Sequence, residues 1–352
     1  MIRQFSVLTL LLATATALSA AEIDTVTRKS DGKVIGGEIT KVTKTEVVVS
    51  QKVGNKEDAI PANDIAALEW RGEPTQLLAA RSDERSGNLS EALASYQEAL
   101  SDASITRKEV KADIEFLIAR TAVKVAQADR EQAGAAIQKL KAFVELNRDH
   151  YRFYEAQILL ADLALISGDS AQADASYLEL EGAPWLDYQL AGQNGQGYSK
   201  LNRGDTSGAR TIFDKVAQTK GTNPEEEAQR LTGMIGQAEC LQEEGKCAEA
   251  VKILEQVIDG ARAEDSRILA RAYLRMGDCL STDSQNLKSA VLAYLHVDVI
   301  PSLAKHGDLH AEALYQLSKL WLAVNQPQRV NDAISKLQTD YPTSEWTKKL
   351  AQ

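Results

Sequence analysis

From Glu73 to the end of the chain, apolar residues return every three or four positions, the spacing of one face of an α-helix. The stretch from Gly87 to Leu100 shows the unit: Gly87, Ala92 five residues on, Tyr96 four beyond it and Ala99 three further. The same offsets recur at Gly168, Ala173, Tyr177 and Leu180, at Gly204, Ala209, Phe213 and Val216, and at Gly245, Ala250, Leu254 and Val257. Looser copies run Ala128, Ala133, Ile137, Leu140, then Gln285, Ala290, Tyr294, Val297, then Asn325, Val330, Ile334, Leu337. The seven turn positions lie 36 to 41 residues apart. Seven residues ahead of them stand Ala80, Thr121, Ala161, Gly197, Ala238 and Ser318, and Gly277 serves the sixth copy if its turn carries one inserted residue.

This pattern predicts about seven helix pairs. A glycine or polar residue ends the first helix and permits a left-handed turn. Small residues on both helices let the backbones approach, and each large side chain buried there contributes about 1.5–3 kcal/mol. A single pair cannot bury its own hydrophobic face, so successive pairs must stack into a solenoid.

Between Ile23 and Trp70 the pattern is that of strands. The segment is rich in Val, Ile and Thr, and Asp31-Gly32 between two such runs signals a hairpin. Gly36-Gly37 marks a bulge or bend. Val47 to Val49 form a third run, Pro61 ends a fourth at Ala59-Ile60, and a last strand holds Leu68 and Trp70. Five short strands predict a small SH3-like or Sm-like barrel, marginal alone and expected to dock on the first helices through Trp70 or its neighbours. It serves either as a ligand or partner site or as a cap on the helical array. The layout is similar to β modules that precede helical repeats in exported bacterial proteins.

The repeat itself resembles the tetratricopeptide family. "SGDSAQADASYLEL", "RGDTSGARTIFDKV" and "EGKCAEAVKILEQV" carry its order of small residue, glycine turn, alanine and large apolar residue, and the resemblance covers Glu73 to Gln352. The family period is 34 residues, so the extra residues here must lengthen helices or connections. The resemblance implies a concave surface formed by the first helix of each pair, which receives peptides or protein partners. Projecting the family pattern gives Glu155, Asp162, Asn194, Tyr198, Glu239, Gln242, Arg271, Asp278, Tyr315 and Lys319 as its residues, with Tyr198 and Tyr315 as anchors. The set is acidic to neutral, and its one Asn and one Lys do not make up the Lys and Asn set that the resemblance implies for a carboxylate clamp, so it predicts a neutral or basic partner segment.

The N-terminus reads as a secretory signal peptide: Arg3, an apolar run from Phe5 to Leu12, and a small-residue cleavage site at Ser19-Ala20-Ala21. The run is shorter than the ~20 residues that span a bilayer. The expected division is therefore 1–21 signal peptide, 22–72 β segment and 73–352 helical repeats, in a soluble exported protein with no stable membrane insertion. A formal net charge of −10 and no basic stripe argue against a nucleic-acid partner. Three cysteines exclude a fully paired framework. Cys240 and Cys247 flank a predicted turn and could approach, though small buried residues are the simpler reading.

No catalytic, cofactor or metal constellation emerges. His306, Asp308 and His310 are neighbours, but Asp308 reads as a helix N-cap. "GQNGQGY", Gly192 to Tyr198, lacks the preceding strand and following Lys-Ser/Thr of a phosphate loop, and Gly197 falls on a helix-crossing position. The expected function is a non-enzymatic interaction scaffold of the bacterial cell envelope. The alternative is a cell-wall polysaccharide or peptidoglycan binder that uses the β segment.

Overall fold

The structure, a computed structural model, describes residues 23–51, 54 and 56–351; the expected signal peptide lies outside them. Five strands come first: β1 (Asp24–Arg28), β2 (Val34–Val42), β3 (Glu46–Gln51), β4 (Lys56–Pro61) and β5 (Ile65–Glu69). They form an antiparallel sheet in the order β4-β3-β2-β1-β5. Gly32 takes φ +67° in the β1–β2 hairpin, as Asp31-Gly32 predicts. β2 pairs with β1 through Val34–Gly37 and with β3 from Glu38 onward, so it changes partner just after the two glycines. A Cβ on Gly37 would lie 2.4 Å from the Ser50 carbonyl oxygen, which is why the bend needs glycine.

Among the described residues sixteen helices follow: α1 (Thr75–Ser86), α2 (Leu89–Leu100), α3 (Lys108–Ala128), α4 (Ala133–Leu146), α5 (Phe153–Ile166), α6 (Ser170–Glu181), α7 (Leu186–Asn202) and α8 (Thr206–Gln218), then α9 (Pro224–Glu243), α10 (Cys247–Gly260), α11 (Ser266–Leu280), α12 (Leu287–Val299), α13 (Pro301–Ala304), α14 (Gly307–Ala323), α15 (Pro327–Asp340) and α16 (Glu345–Lys349). The seven pairs are α1/α2, α3/α4, α5/α6, α7/α8, α9/α10, α11/α12 and α14/α15. The surplus over a 34-residue period goes into long first helices, 21 residues in α3 and 20 in α9, and into the extra α13.

Gly87, Gly168, Gly204 and Gly245 adopt φ between +74° and +83°, and Asn325 adopts +60°, so five turns are left-handed. The turns at 128 and 285 differ from that expectation. There α3 and α11 run into short 3-10 segments, capped by Asp129 and Asp283, which accept from the amides of Glu131 and Gln285. Without glycine the chain reverses through an aspartate cap.

The small positions act as predicted. Ala80 and Ala161 are fully buried. A Cβ on Gly197 would lie 2.6 Å from the Phe213 ring, and one on Gly277 would lie 2.6 Å from Tyr294. Gly195 is tighter still, at 2.1 Å from Tyr177. Gly195 and Gly197 of "GQNGQGY" therefore seat neighbouring rings, while a Cβ on Gly192 would lie 2.6 Å from the Tyr177 carbonyl oxygen. Gly195→Ala is expected to lower stability by about 1–3 kcal/mol through overpacking. Gly134→Ala, with open space at its Cβ and a helical backbone, should instead gain about 0.5–1 kcal/mol from helix propensity. Urea denaturation of the two variants reads both signs; equal effects would refute the packing assignment.

Trp70 joins sheet to helices as the sequence predicts. It is fully buried, its indole Nε1–H donates to Asp113 of α3 at 3.2 Å, and the Arg107 guanidinium lies 4.6 Å from its ring centroid. Arg107 also binds Asp24 of β1 at 2.8 Å. One continuous apolar core runs from Val26 of the sheet to Ala183, beyond α6.

Candidate partner-binding surface

The first helices pack on one another in succession, α3 on α5, α5 on α7, α7 on α9, α9 on α11 and α11 on α14. They line the inner side of the solenoid. Arg267, Arg271 and Arg275 stand four residues apart on α11 and so share one face. Arg271 donates to both carboxylate oxygens of Glu239 on α9, at 2.9 and 3.0 Å, and lies 4.1 Å from the Tyr198 ring centroid. Arg275 reaches Glu239 at 3.2 Å, Glu312 of α14 at 3.0 and 3.1 Å, and Asp278. Arg267 grips Asp308 with two bonds. Such bidentate pairs suit guanidinium groups.

Of the ten predicted residues, Tyr198, Glu239, Arg271 and Asp278 fall in this strip. Two acids in the set also have a structural duty. The Tyr177 hydroxyl donates to Asp162 at 2.8 Å and the Tyr294 hydroxyl to Asp278 at 2.7 Å. Tyr96 does the same to Glu84 at 2.7 Å. Where the ring of the second helix is tyrosine, the first helix supplies a carboxylate for its buried hydroxyl, which would otherwise go unpaired. Asp162 keeps contact with solvent, yet the protein around it displaces bulk water and pushes its carboxyl up, against the Tyr177 bond. Burial likewise raises Glu312, with Arg275 opposing.

The other predicted residues are spread along the solenoid. Glu155 accepts from Arg152 at 2.7 Å, near the sheet end. Asn194 donates to the Gln229 carbonyl at 2.9 Å, and its own oxygen is buried without a partner. Gln242 is half-buried in the last turn of α9. Tyr315 is covered by Trp346 of the C-terminal segment, centroids 5.2 Å apart, with Lys319 4.0 Å over its ring. The sequence reading missed Arg152, Arg267 and Arg275. A spacing of four on α11 was the available signal for the last two.

His306, Asp308 and His310 take separate partners. His306 contacts Ser266 at 3.0 Å, Asp308 pairs with Arg267, and His310 bridges Tyr341 and Asp298 at 2.7 and 2.8 Å. Asp308 is not the N-cap of α14: His306 holds that position, and the Arg267 guanidinium takes the carboxylate instead. No group of three metal-ligating side chains occurs among the described residues.

The solenoid turns far enough for its C-terminal helix to meet the second helix pair. Arg130, between α3 and α4, pairs with Glu345 of α16 at 2.7 Å, and Lys348 approaches Glu131 at 3.6 Å. Between them lies a cleft of about 440 Å³ walled by Ile137, Leu163, Ile166 and Trp346. These ion pairs are exposed and each is worth at most about 1 kcal/mol. Glu345→Arg is therefore expected to open the ring without unfolding it. The radius of gyration from solution scattering should rise while helix content stays constant; an unchanged radius would count against closure by these pairs.

No family model and no curated protein sequence matches the chain. Solved structures match in fold. The apo form of RapI aligns with a TM-score of 0.53 at 11% identity, over 75% of this chain and 98% of its own. A tetratricopeptide repeat protein from Parabacteroides merdae aligns at 0.50 and 17%, over 68% and 83%. A Rap protein complexed with competence and sporulation factor also gives 0.50 and 17%, over 78% and 74%. The chain is thus a tetratricopeptide-like α-solenoid preceded by a five-stranded antiparallel sheet. No helix among the described residues is long and apolar enough to cross a membrane.

Proposed function

We propose that this chain is a non-enzymatic, exported interaction scaffold of the cell envelope that receives a neutral or basic protein segment on its inner strip. The observation that carries the reading is the composition of that strip. Half-buried Tyr198 supplies an amphipathic ring, the kind of side chain that anchors protein interfaces. Among the paired charges of the strip, Glu239, Asp278, Asp308 and Glu312 outnumber Arg267, Arg271 and Arg275, so the residual field is negative. The fold likeness to a Rap protein complexed with competence and sporulation factor agrees with partner capture by such a solenoid. The polysaccharide reading is weaker, because Trp70 is the sole aromatic residue of the β segment and is fully buried, leaving no ring there for a sugar.

A photo-crosslinking side chain at Tyr198 in intact cells tests this, with the exposed outer residue Leu178 as comparison. A reproducible protein adduct from position 198 and none from 178 is expected. Adducts from neither, or from 178 alone, would overturn the reading.

A further inference from the structure

The three cysteines are free thiols, and the fold sorts them differently from their order in the chain. Cys240 packs with Ala209 and Phe213. Cys247 and Cys279 belong to a separate apolar cluster with Ala250, Leu254 and Ala272. Cys247 is the first residue of α10 and Cys279 the last but one of α11. Only residues 261–265 connect these helices, which pack on each other as a hairpin. The start of α10 therefore lies level with the end of α11, which brings Cys247 and Cys279 to the same end of the hairpin and into one apolar cluster. Cys247 is half-buried, whereas Cys279 is 3% exposed.

We propose that Cys247 and Cys279 form a reversible intramolecular disulfide that staples the fifth helix pair to the sixth. The oxidant is an external disulfide, R–S–S–R. Cys247, the accessible thiol, gives up its proton, and its sulfur attacks one sulfur of the oxidant. The oxidant's S–S bond breaks, one R–S⁻ leaves and takes up a proton, and a mixed disulfide remains. Cys279 then loses its proton, attacks the Cys247 sulfur and expels the second R–S⁻, which is protonated in turn. Two protein thiols are oxidised to one disulfide, and R–S–S–R is reduced to two R–SH. Burial shields Cys279 from the solvent oxidant, so it reacts second, as the resolving thiol. The staple would fix α10 against α11, the helix that carries Arg267, Arg271 and Arg275, and so hold the geometry of the inner strip.

The full chain, equilibrated with oxidised glutathione, alkylated and digested, tests this. Titratable thiols under denaturing conditions should fall from three to one, with one linked peptide joining residues 247 and 279. The oxidised form should melt several degrees higher, a shift that dithiothreitol reverses. Cys279→Ser should trap glutathione on Cys247, and Cys240→Ser should leave the linkage intact. Three persisting thiols, a 240–247 linkage, or only intermolecular linkage would overturn the proposal.

Discussion

Trp70→Ala is expected to lower the unfolding free energy by about 3–5 kcal/mol, the range for removing a large buried ring. The substitution empties the contact between sheet and helices. It strips Asp113 of one donor and leaves the Arg107 guanidinium without the ring it covers. Asp113 keeps its bonds from the Tyr151 hydroxyl, at 2.6 Å, and from Arg152, so its ionisation stays supported. Trp70→Phe keeps most of the ring but loses the indole N–H, and should cost about 1–3 kcal/mol for the unsatisfied partner plus the lost packing. Urea denaturation of the full chain, followed by helix circular dichroism, measures both. Because the apolar core is continuous from the sheet into α6, the loss should show in helix unfolding. A change below about 1 kcal/mol for Trp70→Ala would mean that sheet and helices do not share a stability unit.

Acid is expected to destabilise the protein in two successive windows. Burial lowers the His150 pKa from 6.5 to about 4, with Asp113 opposing. As pH falls from 6.5 to 4, the unfolded chain binds a proton that the folded chain refuses, so stability drops by about 3 kcal/mol in total. Glu84 acts lower. Burial pushes its carboxyl up, but Arg120, Lys124 and the Tyr96 hydroxyl outweigh burial and hold it at about 2, against an ordinary 4.5. Its contribution is complete above pH 4.5 and is lost as pH falls toward 2, again about 3 kcal/mol. His150→Phe should flatten the first window. The remaining slope there comes from the half-buried His306, also lowered to about 4 by burial and by Arg267 and Lys305, and is opposed by Asp162, Asp187 and Glu312, whose carboxyls burial raises so that the folded chain takes up their protons first. Glu84→Gln should flatten the second window while costing stability at neutral pH, since it leaves Arg120 and Lys124 without their shared carboxylate. Urea midpoints measured against pH decide: an undiminished fall between pH 6.5 and 4 in His150→Phe would refute the assignment.

The helical repeat was legible because its constraints are local. Gly87, Ala92, Tyr96 and Ala99 lie within one turn and one helix, and steric fit at a helix crossing demands small residues at fixed offsets. The strand order was less so. Asp31-Gly32 marks one hairpin, but the pairing of β1 with β5 closes over residues 29–64 and leaves no short-range signal. Trp70 was readable as a docking residue because a lone tryptophan beside a marginal sheet has few other ways to be buried. Asp113, its partner, was not.

For four of the ten projected residues the inner strip was legible by position, and for all of them it was illegible by pairing. Projection placed Glu239, Arg271 and Asp278 on one side of the solenoid. It could not state that Glu239 is shared by Arg271 and Arg275, that Asp162 and Asp278 accept tyrosine hydroxyls, or that Tyr315 lies under Trp346. Nor could chain order say that Cys247 faces Cys279 rather than Cys240.

By itself, then, the sequence determined a strand-rich head, seven helix pairs, their turns and the small residues at their crossings, since each follows from periodicity and backbone sterics within about forty residues. Only the tertiary structure decided which charges meet, because those contacts join successive pairs or, as with Arg130 and Glu345, the second pair and the C-terminal helix. Such contacts depend on a small rotation added at every helix pair. That rotation is set by packing across whole interfaces, and no single stretch of sequence records it.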